Sequence, residues 1–336
     1  MDGQALQDEL TLGDVDQNLS SKRMSNKMKI IIFGSIGAVL LLILIILIIL
    51  LAKSSSKSND DENEEINMDK IGEINCVYDI YKINVPIQLL SEEYQKNCAL
   101  SMVIDGQEVK YLKQYTFSSS GLHNVQIILY EKVNLDKMFK DIYELTSVSL
   151  VSDSNAEITS MQSTFEGCES LNSFNIKGFN TANIKSISGL FNGCEALSDI
   201  NLDNLDTSSV EDMSYTFADT SISNFDFGKI KINNLKNASH MFYESSYLSN
   251  VEFPVLPETK LEDISYMFGS CSGLETLDMN NLDTQNVKNM SGLFSDCISL
   301  INLYTDKMKT NSVTDMSYMF EDCCSIGELD LSNFVT

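Results

Sequence analysis

The chain has 336 residues, with 48 acidic and 23 basic side chains and a formal net charge of −25. Because contacts with nucleic-acid phosphates require an excess of Lys and Arg, this balance makes nucleic acid a poor partner. A basic partner or a divalent cation such as Ca²⁺ fits the charge better, although charge of one sign also simply keeps a secreted repeat protein soluble.

The first predicted element is a membrane anchor. Residues 30–52 contain no charged side chain and are rich in Ile and Leu. At about 1.5 Å per residue, a helix of this length crosses a hydrocarbon layer of ~30 Å. The segment therefore predicts a transmembrane helix. A cleaved signal peptide is the alternative, but its apolar region usually spans only ~7 to 15 residues.

The charges around this segment predict its orientation. Residues 1–29 carry Lys22, Arg23, Lys27 and Lys29 directly before it, whereas an acidic run follows at residues 60–65. Basic residues favour the cytoplasmic side of a membrane. We therefore expect a single-pass protein of the plasma membrane with a cytoplasmic N-terminus and an extracellular remainder.

Two segments of different amino-acid composition follow the anchor. Residues 53–65 are rich in Ser and acids and lack the apolar content for a core, which is typical of a flexible stalk. Residues 66–134 contain an Asp105-Gly106 hairpin signal and runs of period-two alternation, which predict a small all-β domain. Its Phe117, Gly121, His123 and Val125 resemble the last hairpin of an immunoglobulin-like sandwich, which implies a sandwich-like fold.

The remaining residues, 135–336, form a repeat. Phenylalanines recur at intervals of 26 residues, with a single interval of 25: Phe139, Phe165, Phe191, Phe217, Phe242, Phe268, Phe294 and Phe320. A fixed period in this range indicates units that cannot bury their apolar faces alone and must stack on one another. The sequence thus predicts a solenoid of about seven or eight units.

Each unit combines two apolar patterns. Leu274, Leu277 and Met279 have a Leu-x-x-Leu-x-Leu form, whose last pair alternates at the period of a strand. The next stretch, from Val287 to Cys297, steps by three and four residues, which is typical of a helix. We therefore predict an α/β solenoid of strand–helix units. Threonines at the start of the stripes are candidate helix caps: Thr181, Thr207, Thr284 and Thr310.

These repeats resemble a known family. Asp315-Met316-Ser317-Tyr318-Met319-Phe320-Glu321-Asp322-Cys323, followed by Leu329-Asp330-Leu331-Ser332-Asn333-Phe334, looks like the repeats of BspA-like leucine-rich-repeat surface proteins. The resemblance covers about residues 135–336. It implies a right-handed solenoid with a parallel sheet on one side, displayed at a cell surface for adhesion or recognition.

The exposed side of the predicted strands is the candidate ligand-binding surface. Its outward positions would stack into columns of carboxylates and amides that could bind a basic protein segment or Ca²⁺. A merely hydrated sheet face is the alternative. The positions are Asn175, Asp199, Asn201, Asp203, Asp226, Glu252, Thr276, Asp278, Asn280, Asn302, Tyr304, Asp306, Glu328 and Asp330.

Cysteines and sequons suggest modifications outside the cell. Cys76 and Cys98, both in the β-domain, are candidates for a disulfide, with free thiols as the alternative. Repeat cysteines lie three residues after a repeat phenylalanine, where a small buried thiol packs well, although stacked turns would also permit disulfides. Their spacing of 26 does not suit zinc. Asn237 and Asn289 are candidate glycosylation sites in Asn-x-Ser sequons.

No pattern predicts catalysis. The chain has two histidines, His123 and His240, and neither has a neighbouring nucleophile in the sequence. We therefore expect a membrane-anchored adhesion or recognition protein rather than an enzyme. A receptor that signals through residues 1–29 is the alternative. The last unit ends at residue 336 without a polar cap, so we expect either that the chain is a fragment or that a partner or a second copy covers that end.

Overall fold

The computed structural model describes residues 68–253 and 259–335. The cytoplasmic tail (1–29), the transmembrane helix (30–52) and the stalk (53–65) predicted from the sequence lie outside these residues. Within them, every helix falls short of the length and apolar content that a bilayer crossing requires.

The described residues form fourteen β-strands. They are β1 (Gly72–Ile80), β2 (Pro86–Gln88), β3 (Leu100–Ile104), β4 (Gln107–Val109), β5 (Gln114–Thr116), β6 (Gly121–Leu129), β7 (Val133–Asn134), β8 (Leu145–Val151), β9 (Ile158–Ser160), β10 (Ser173–Lys177), β11 (Asn224–Asp226), β12 (Asn250–Glu252), β13 (Thr276–Asp278) and β14 (Asn302–Tyr304). A single 3₁₀ turn, Phe227–Lys229, is the one helical element of the described chain.

The N-terminal strands do not form a separate sandwich. Four of them, β1, β3, β4 and β6, belong to a six-stranded sheet with the order β10-β8-β1-β6-β3-β4, in which β8 and β10 come from the repeat region, while β2 and β5 form a separate two-stranded sheet. The prediction of an all-β region is confirmed, including the Asp105-Gly106 turn between β3 and β4, where both residues have positive φ. The sandwich-like arrangement is wrong, because β1 pairs with β8 and so continues directly into the solenoid.

The repeat phenylalanines form one internal column. Their rings stack with centroids 5.5–6.2 Å apart and interplanar angles of 5–18°. The first seven are at most 1% exposed, whereas Phe320 in the final turn is half-buried. The prediction of a stacked solenoid with a continuous core is therefore confirmed.

The predicted helix in each unit is wrong. The apolar stripe is buried as expected, but the backbone around each phenylalanine alternates between right- and left-handed conformations, which an α-helix does not allow. Positive φ recurs two residues before the phenylalanine, at Lys137, Ser163, Gly189, Tyr215, His240, Tyr266, Gly292 and Tyr318. It also recurs two residues after it, at Asp141, Gly167, Gly193, Asp219, Glu244, Ser270, Asp296 and Asp322.

Hydrogen bonds in this segment explain why it is not helical. The N–H of Phe165 donates to the carbonyl oxygen of Leu190 in the next turn at 3.0 Å. The N–H of Cys168 donates locally, to the carbonyl oxygen of Phe165 at 3.0 Å. Bonds between turns and bonds within a turn thus alternate. The spacing of three and four residues is shared by a helix and by this ribbon of turns, so the sequence pattern alone did not separate them.

The threonines are not helix caps. Thr284 Oγ1 accepts a hydrogen bond from the N–H of Lys309 at 2.7 Å and donates to the carbonyl oxygen of the same residue at 2.9 Å. Thr207 bonds in the same way to Lys231. Each hydroxyl therefore bridges two successive turns instead of satisfying a helix terminus.

A ladder of single β-bridges, separate from the strand pairs, runs along the solenoid at the start of each turn segment, and we call it the second ladder. Parallel bridges join Ser186, Asp212, Asn237, Asp263, Asn289 and Asp315 in succession. These bridges connect six turns into one β-solenoid. Beside this ladder the strands pair in parallel, β11 with β12 and β13 with β14, and they carry the exposed strand face.

Candidate functional site

The strand face has the alternation that the sequence predicts. In β11 and β12, Phe225 and Val251 point into the core, while Asn224, Asn250 and Glu252 are exposed. All fourteen predicted outward residues are exposed or half-buried, and Asp226 and Asn280 are among the half-buried ones. These side chains are thus accessible to solvent, and their binding role stays a prediction.

The strands bring only some of these residues into register. Asp226 lies opposite Glu252, Thr276 opposite Asn302 and Asp278 opposite Tyr304. In contrast, the stretches 199–203 and 328–330 carry no strand assignment. The columns of carboxylates and amides are thus shorter than predicted, because strand pairing is interrupted between β10 and β11.

Two grooves open on this face. One, of about 540 Å³, is lined by Asp226, Lys229, Glu252 and Asp278 together with Phe253 and Asn281. The other, of about 290 Å³, lies at the interruption and is lined by Asp199, Asp203, Asp226 and Lys229 among others. Asp226 and Lys229 border both grooves. Lys229 was not predicted from the sequence. It lies in the 3₁₀ turn that follows β11 directly.

Several of the predicted oxygen ligands already hold the local backbone. Asp278 accepts from the N–H of Asn280 at 2.9 Å, and Asn201 accepts from the N–H of Asp203 at 2.8 Å. Asp330 accepts from the N–H of Ser332, and this bond lowers the pKa of its carboxyl group. These side chains therefore fix the turns that follow each strand.

The carboxylates of the face do not converge. Across residues 68–253 and 259–335, no group of three or more His, Cys, Asp or Glu side chains is arranged to hold a metal ion. The Ca²⁺ binding suggested by the sequence consequently has no built site among these residues. The strand face therefore contains two acidic grooves that share one lysine, Lys229.

All eight cysteines are free. The predicted bond between Cys76 and Cys98 is not formed. Cys76 lies on β1 close to Cys168, and burial raises the pKa of its thiol. Cys98 instead lies beside Tyr94. The second interpretation of the repeat cysteines, as buried thiols, agrees with the structure: Cys168, Cys194, Cys271 and Cys297 are fully buried.

The sequons occupy the second ladder. Asn237 and Asn289 are half-buried, and each accepts a hydrogen bond from the N–H two residues later. The amide of Asn289 also donates to Asp263 Oδ2 at 3.2 Å. The Asn289 side chain therefore links two successive turns, whereas the bond of Asn237 to Ser239 lies within one turn. Glycosylation of either stays a prediction.

One histidine lies in an arrangement that superficially suggests catalysis. His123 Nδ1 is 2.6 Å from Asp105 Oδ2, and His123 Nε2 is 3.4 Å from Ser119 Oγ. However, Nε2 is only 3.0 Å from the carbonyl oxygen of Ser119, which can only accept. Nε2 therefore carries a proton and cannot take one from the Ser119 hydroxyl. The three residues tie two turns of the sheet together.

The final turn is the least buried part of the solenoid. Its apolar residues Met316, Phe320 and Phe334 are half-buried, and Tyr318 is 61% exposed. This is the end at which the sequence predicts a partner or a second copy. That contact stays a prediction.

Comparison with known families agrees with the repeat geometry. The model of a family described as "Mycoplasma protein of unknown function, DUF285" matches residues 133–252 and 259–336, more than half of the chain. The chain belongs to this family. The DUF285 match begins at β7 and spans the stacked turns.

A second family model, described as "BspA type Leucine rich repeat region (6 copies)", matches residues 75–188. The predicted BspA-like resemblance is thereby confirmed, although this match lies further toward the N-terminus than the repeats that suggested it. Neither the curated proteins nor the solved structures that were compared gave a match.

Proposed function

We propose that this DUF285 chain is a cell-surface recognition protein whose solenoid binds a macromolecular ligand through its strand face. The observation that carries the proposal is the pair of neighbouring grooves that share Asp226 and Lys229 at the C-terminal end of β11. BspA-type repeats support a surface or adhesion role. Repeat solenoids commonly bind through an extended surface of this kind.

The second part of the proposal is the membrane anchor. Residues 30–52 hold the chain in the plasma membrane, residues 1–29 lie in the cytoplasm and the repeats lie outside. The charge pattern around the apolar segment supports this orientation. A membrane-impermeant label on intact cells tests it: lysines of the repeats should react, and Lys22 and Lys27 should stay protected. The reverse pattern refutes the orientation.

The strand face is tested on the full chain displayed on cells. We expect the joint substitution of Asp199, Asp203, Asp278 and Asp330 by Asn to abolish attachment to surfaces that the unaltered chain binds. These changes keep side-chain size and the local acceptor oxygens, so the turns should survive. All four residues are exposed, and substitutions at exposed positions change the free energy of unfolding little.

A control variant separates the face from the overall charge. Asp153, Glu169, Glu195 and Asp322 are exposed and lie outside the strand face. Their joint replacement by the corresponding amides changes the net charge equally and should leave attachment unchanged. Equal attachment of the strand-face variant and the unaltered chain would refute the proposal.

A further inference from the structure

Four aromatic residues form a partly exposed cluster on another segment of the turns, and three of their rings are stacked. The rings of Tyr215 and His240 stack with centroids 4.4 Å apart at 10°, and those of His240 and Tyr266 stack 5.0 Å apart at 17°. Tyr243 packs edge-on against His240 and Tyr266. We refer to Tyr215, His240, Tyr243 and Tyr266 as the aromatic column.

Three residues of the aromatic column adopt a backbone conformation that favours glycine. Tyr215, His240 and Tyr266 have φ of 56°, 56° and 52°, in the left-handed region that side chains rarely adopt. Two other turns have glycine at the equivalent position, Gly189 and Gly292. The same position also has positive φ in the remaining turns, at Lys137, Ser163 and Tyr318, so this conformation belongs to the repeat and the aromatic side chains are placed on it in three successive turns.

Packing within the chain explains only part of the column. The Tyr266 ring fills the space over Gly292, where an added Cβ would lie 2.2 Å from it. The ring faces of His240 are covered by both tyrosines. Even so, Tyr215 is 39% exposed, and His240, Tyr243 and Tyr266 are half-buried. The column therefore offers ring edges and polar tips to the solvent.

The charges beside the column are unbalanced. On one side, Glu211 and Glu262 form salt bridges with Lys185, Lys236 and Lys288. On the other side are the exposed carboxylates Asp219, Glu244 and Asp296. None of these three forms a salt bridge with a basic side chain in the described part of the chain.

These carboxylates act on the column itself. Burial raises the pKa of Tyr243, and the charges of Glu244 and Asp296 raise it further. Burial lowers the pKa of His240, and the charge of Asp263 only partly opposes this. An aromatic surface next to uncompensated acids is complementary to a partner that carries ammonium groups on aliphatic stems.

We propose that the aromatic column and the carboxylates of Asp219, Glu244 and Asp296 form a docking surface for a lysine-bearing segment of a partner protein. The proposal rests on the proposed function, because it names the chemistry of one ligand of the solenoid, but it places the contact away from the strand face. The lysine stems lie across the ring edges, the ammonium groups pair with the carboxylates, and the tyrosine hydroxyls supply hydrogen bonds.

The test uses the full chain and a fluorescent ten-lysine peptide at about 0.15 M salt, where unspecific attraction between distant charges is screened. The joint substitution Tyr215→Ser and Tyr266→Ser keeps the net charge. We expect it to weaken peptide binding about tenfold, because the apolar contact of two rings with the lysine stems is lost. Binding within twofold of the unaltered chain would overturn the proposal.

Matched variants exclude trivial causes. Tyr81 and Tyr143 are exposed tyrosines of the N-terminal part, and their joint replacement by Ser should leave peptide binding unchanged. If the double column variant fails to fold, Tyr215→Gly replaces it, since glycine adopts the left-handed conformation without strain. This variant should keep its melting temperature and lose affinity; full affinity again overturns the proposal.

The strand-face variant separates this inference from the proposed function. We expect the substitution of Asp199, Asp203, Asp278 and Asp330 by Asn to weaken peptide binding less than the column variant does. If only the strand-face variant loses the peptide, the docking surface is refuted and the proposed function stands. If cell attachment is lost with the strand-face variant while the column variant alone loses the peptide, both are supported.

Discussion

The thiol of Cys194 donates a hydrogen bond to the carbonyl oxygen of Phe165 in the preceding turn, with a sulfur–oxygen distance of 3.1 Å. The same bond recurs from Cys168 to Phe139, from Cys271 to Phe242 and from Cys297 to Phe268. Where the chain has serine at this position, Ser245 Oγ donates to Phe217 at 2.7 Å. A small donor at this position therefore links these five turns to the one before; in the turn of Phe217 the residue is Thr220, whose hydroxyl donates within its own turn, to the carbonyl oxygen of Phe217 at 3.0 Å.

This link predicts which substitutions Cys194 tolerates. Cys194→Ser should keep the donor and change the free energy of unfolding little. Cys194→Ala should cost about 1 kcal/mol through the lost hydrogen bond and a small cavity. Cys194→Leu should cost more, because the site is fully buried and overpacking displaces its neighbours. Urea unfolding of the three variants measures the order; a Leu variant as stable as the Ser variant would contradict it.

Thiol reactivity should differ strongly between positions. Cys324 is exposed, whereas burial raises the pKa of Cys297 to about 12 and that of Cys323 to about 11. Since the thiolate is the reactive form, we expect one thiol per native chain to react rapidly with a colorimetric disulfide reagent. All eight should react in denaturant. Cys324→Ser is the control and should remove the rapid phase.

The hydroxyl of Thr284 should contribute more to the free energy of unfolding than an exposed hydroxyl does. It is 1% exposed and makes two bonds with the backbone of Lys309. Thr284→Val keeps the shape but leaves that backbone without its partner, which should cost about 1–3 kcal/mol. Thr314 is exposed and makes one bond, so Thr314→Val is the matched control with a smaller effect. Comparable urea midpoints for both variants would refute the bridging role.

The alternation of acids and amides in the second ladder should matter for stability. Its members Asp212, Asn237, Asp263, Asn289 and Asp315 alternate strictly between carboxylate and amide. Asn289→Asp would place three carboxylates in succession and remove the donor to Asp263, at a cost of about 1 kcal/mol or more at pH 7.

Acid should relieve this defect, because repulsion raises the pKa of the new carboxyl group and protonation then removes its charge. The difference between Asn289→Asp and the unaltered chain should therefore shrink as the pH falls from 7 to 4. Asn172→Asp is the control, because Asn172 is exposed and lies outside the ladder. A pH-independent difference at residue 289 would argue against the repulsion.

The aromatic column should make stability depend on pH. Burial lowers the pKa of His240 from its usual 6.5, and the charge of Asp263 only partly opposes this. Tyr215 and Tyr266 cover its ring from the neighbouring turns, Tyr243 packs against it, and its Nδ1 is buried without a hydrogen-bond partner. The folded state thus binds the proton less tightly than the unfolded state does.

The sign follows from this difference. The contribution of neutral His240 is complete above pH ~6.5 and is lost as the pH falls through that value toward the folded-state pKa. His240→Phe keeps the stack without a titrating group, so its melting temperature should fall less between pH 7 and 5. His123 is the only other histidine, so comparison with His240→Phe assigns the His240 resonances in an NMR titration. A His240 that titrates above 6.5 would refute this.

The repeat and its core could be derived from the sequence. The period of the phenylalanines identified a stacked solenoid, because a chain of identical short units has no other way to bury one large ring per unit. The same register placed residues such as Glu252 and Asp278 on the outside of the strands, since alternation along a strand leaves only one face for the core.

Only the tertiary structure decided the backbone between the strands and the surfaces that it creates. A spacing of three and four residues suits both a helix and a ribbon of turns, and the choice depends on bonds from Phe165 to Leu190 and from Thr284 to Lys309, some 25 residues away. The aromatic column likewise arises because stacking brings Tyr215, His240 and Tyr266 together from separate turns. Contacts between turns are non-local, and a local sequence pattern does not contain them.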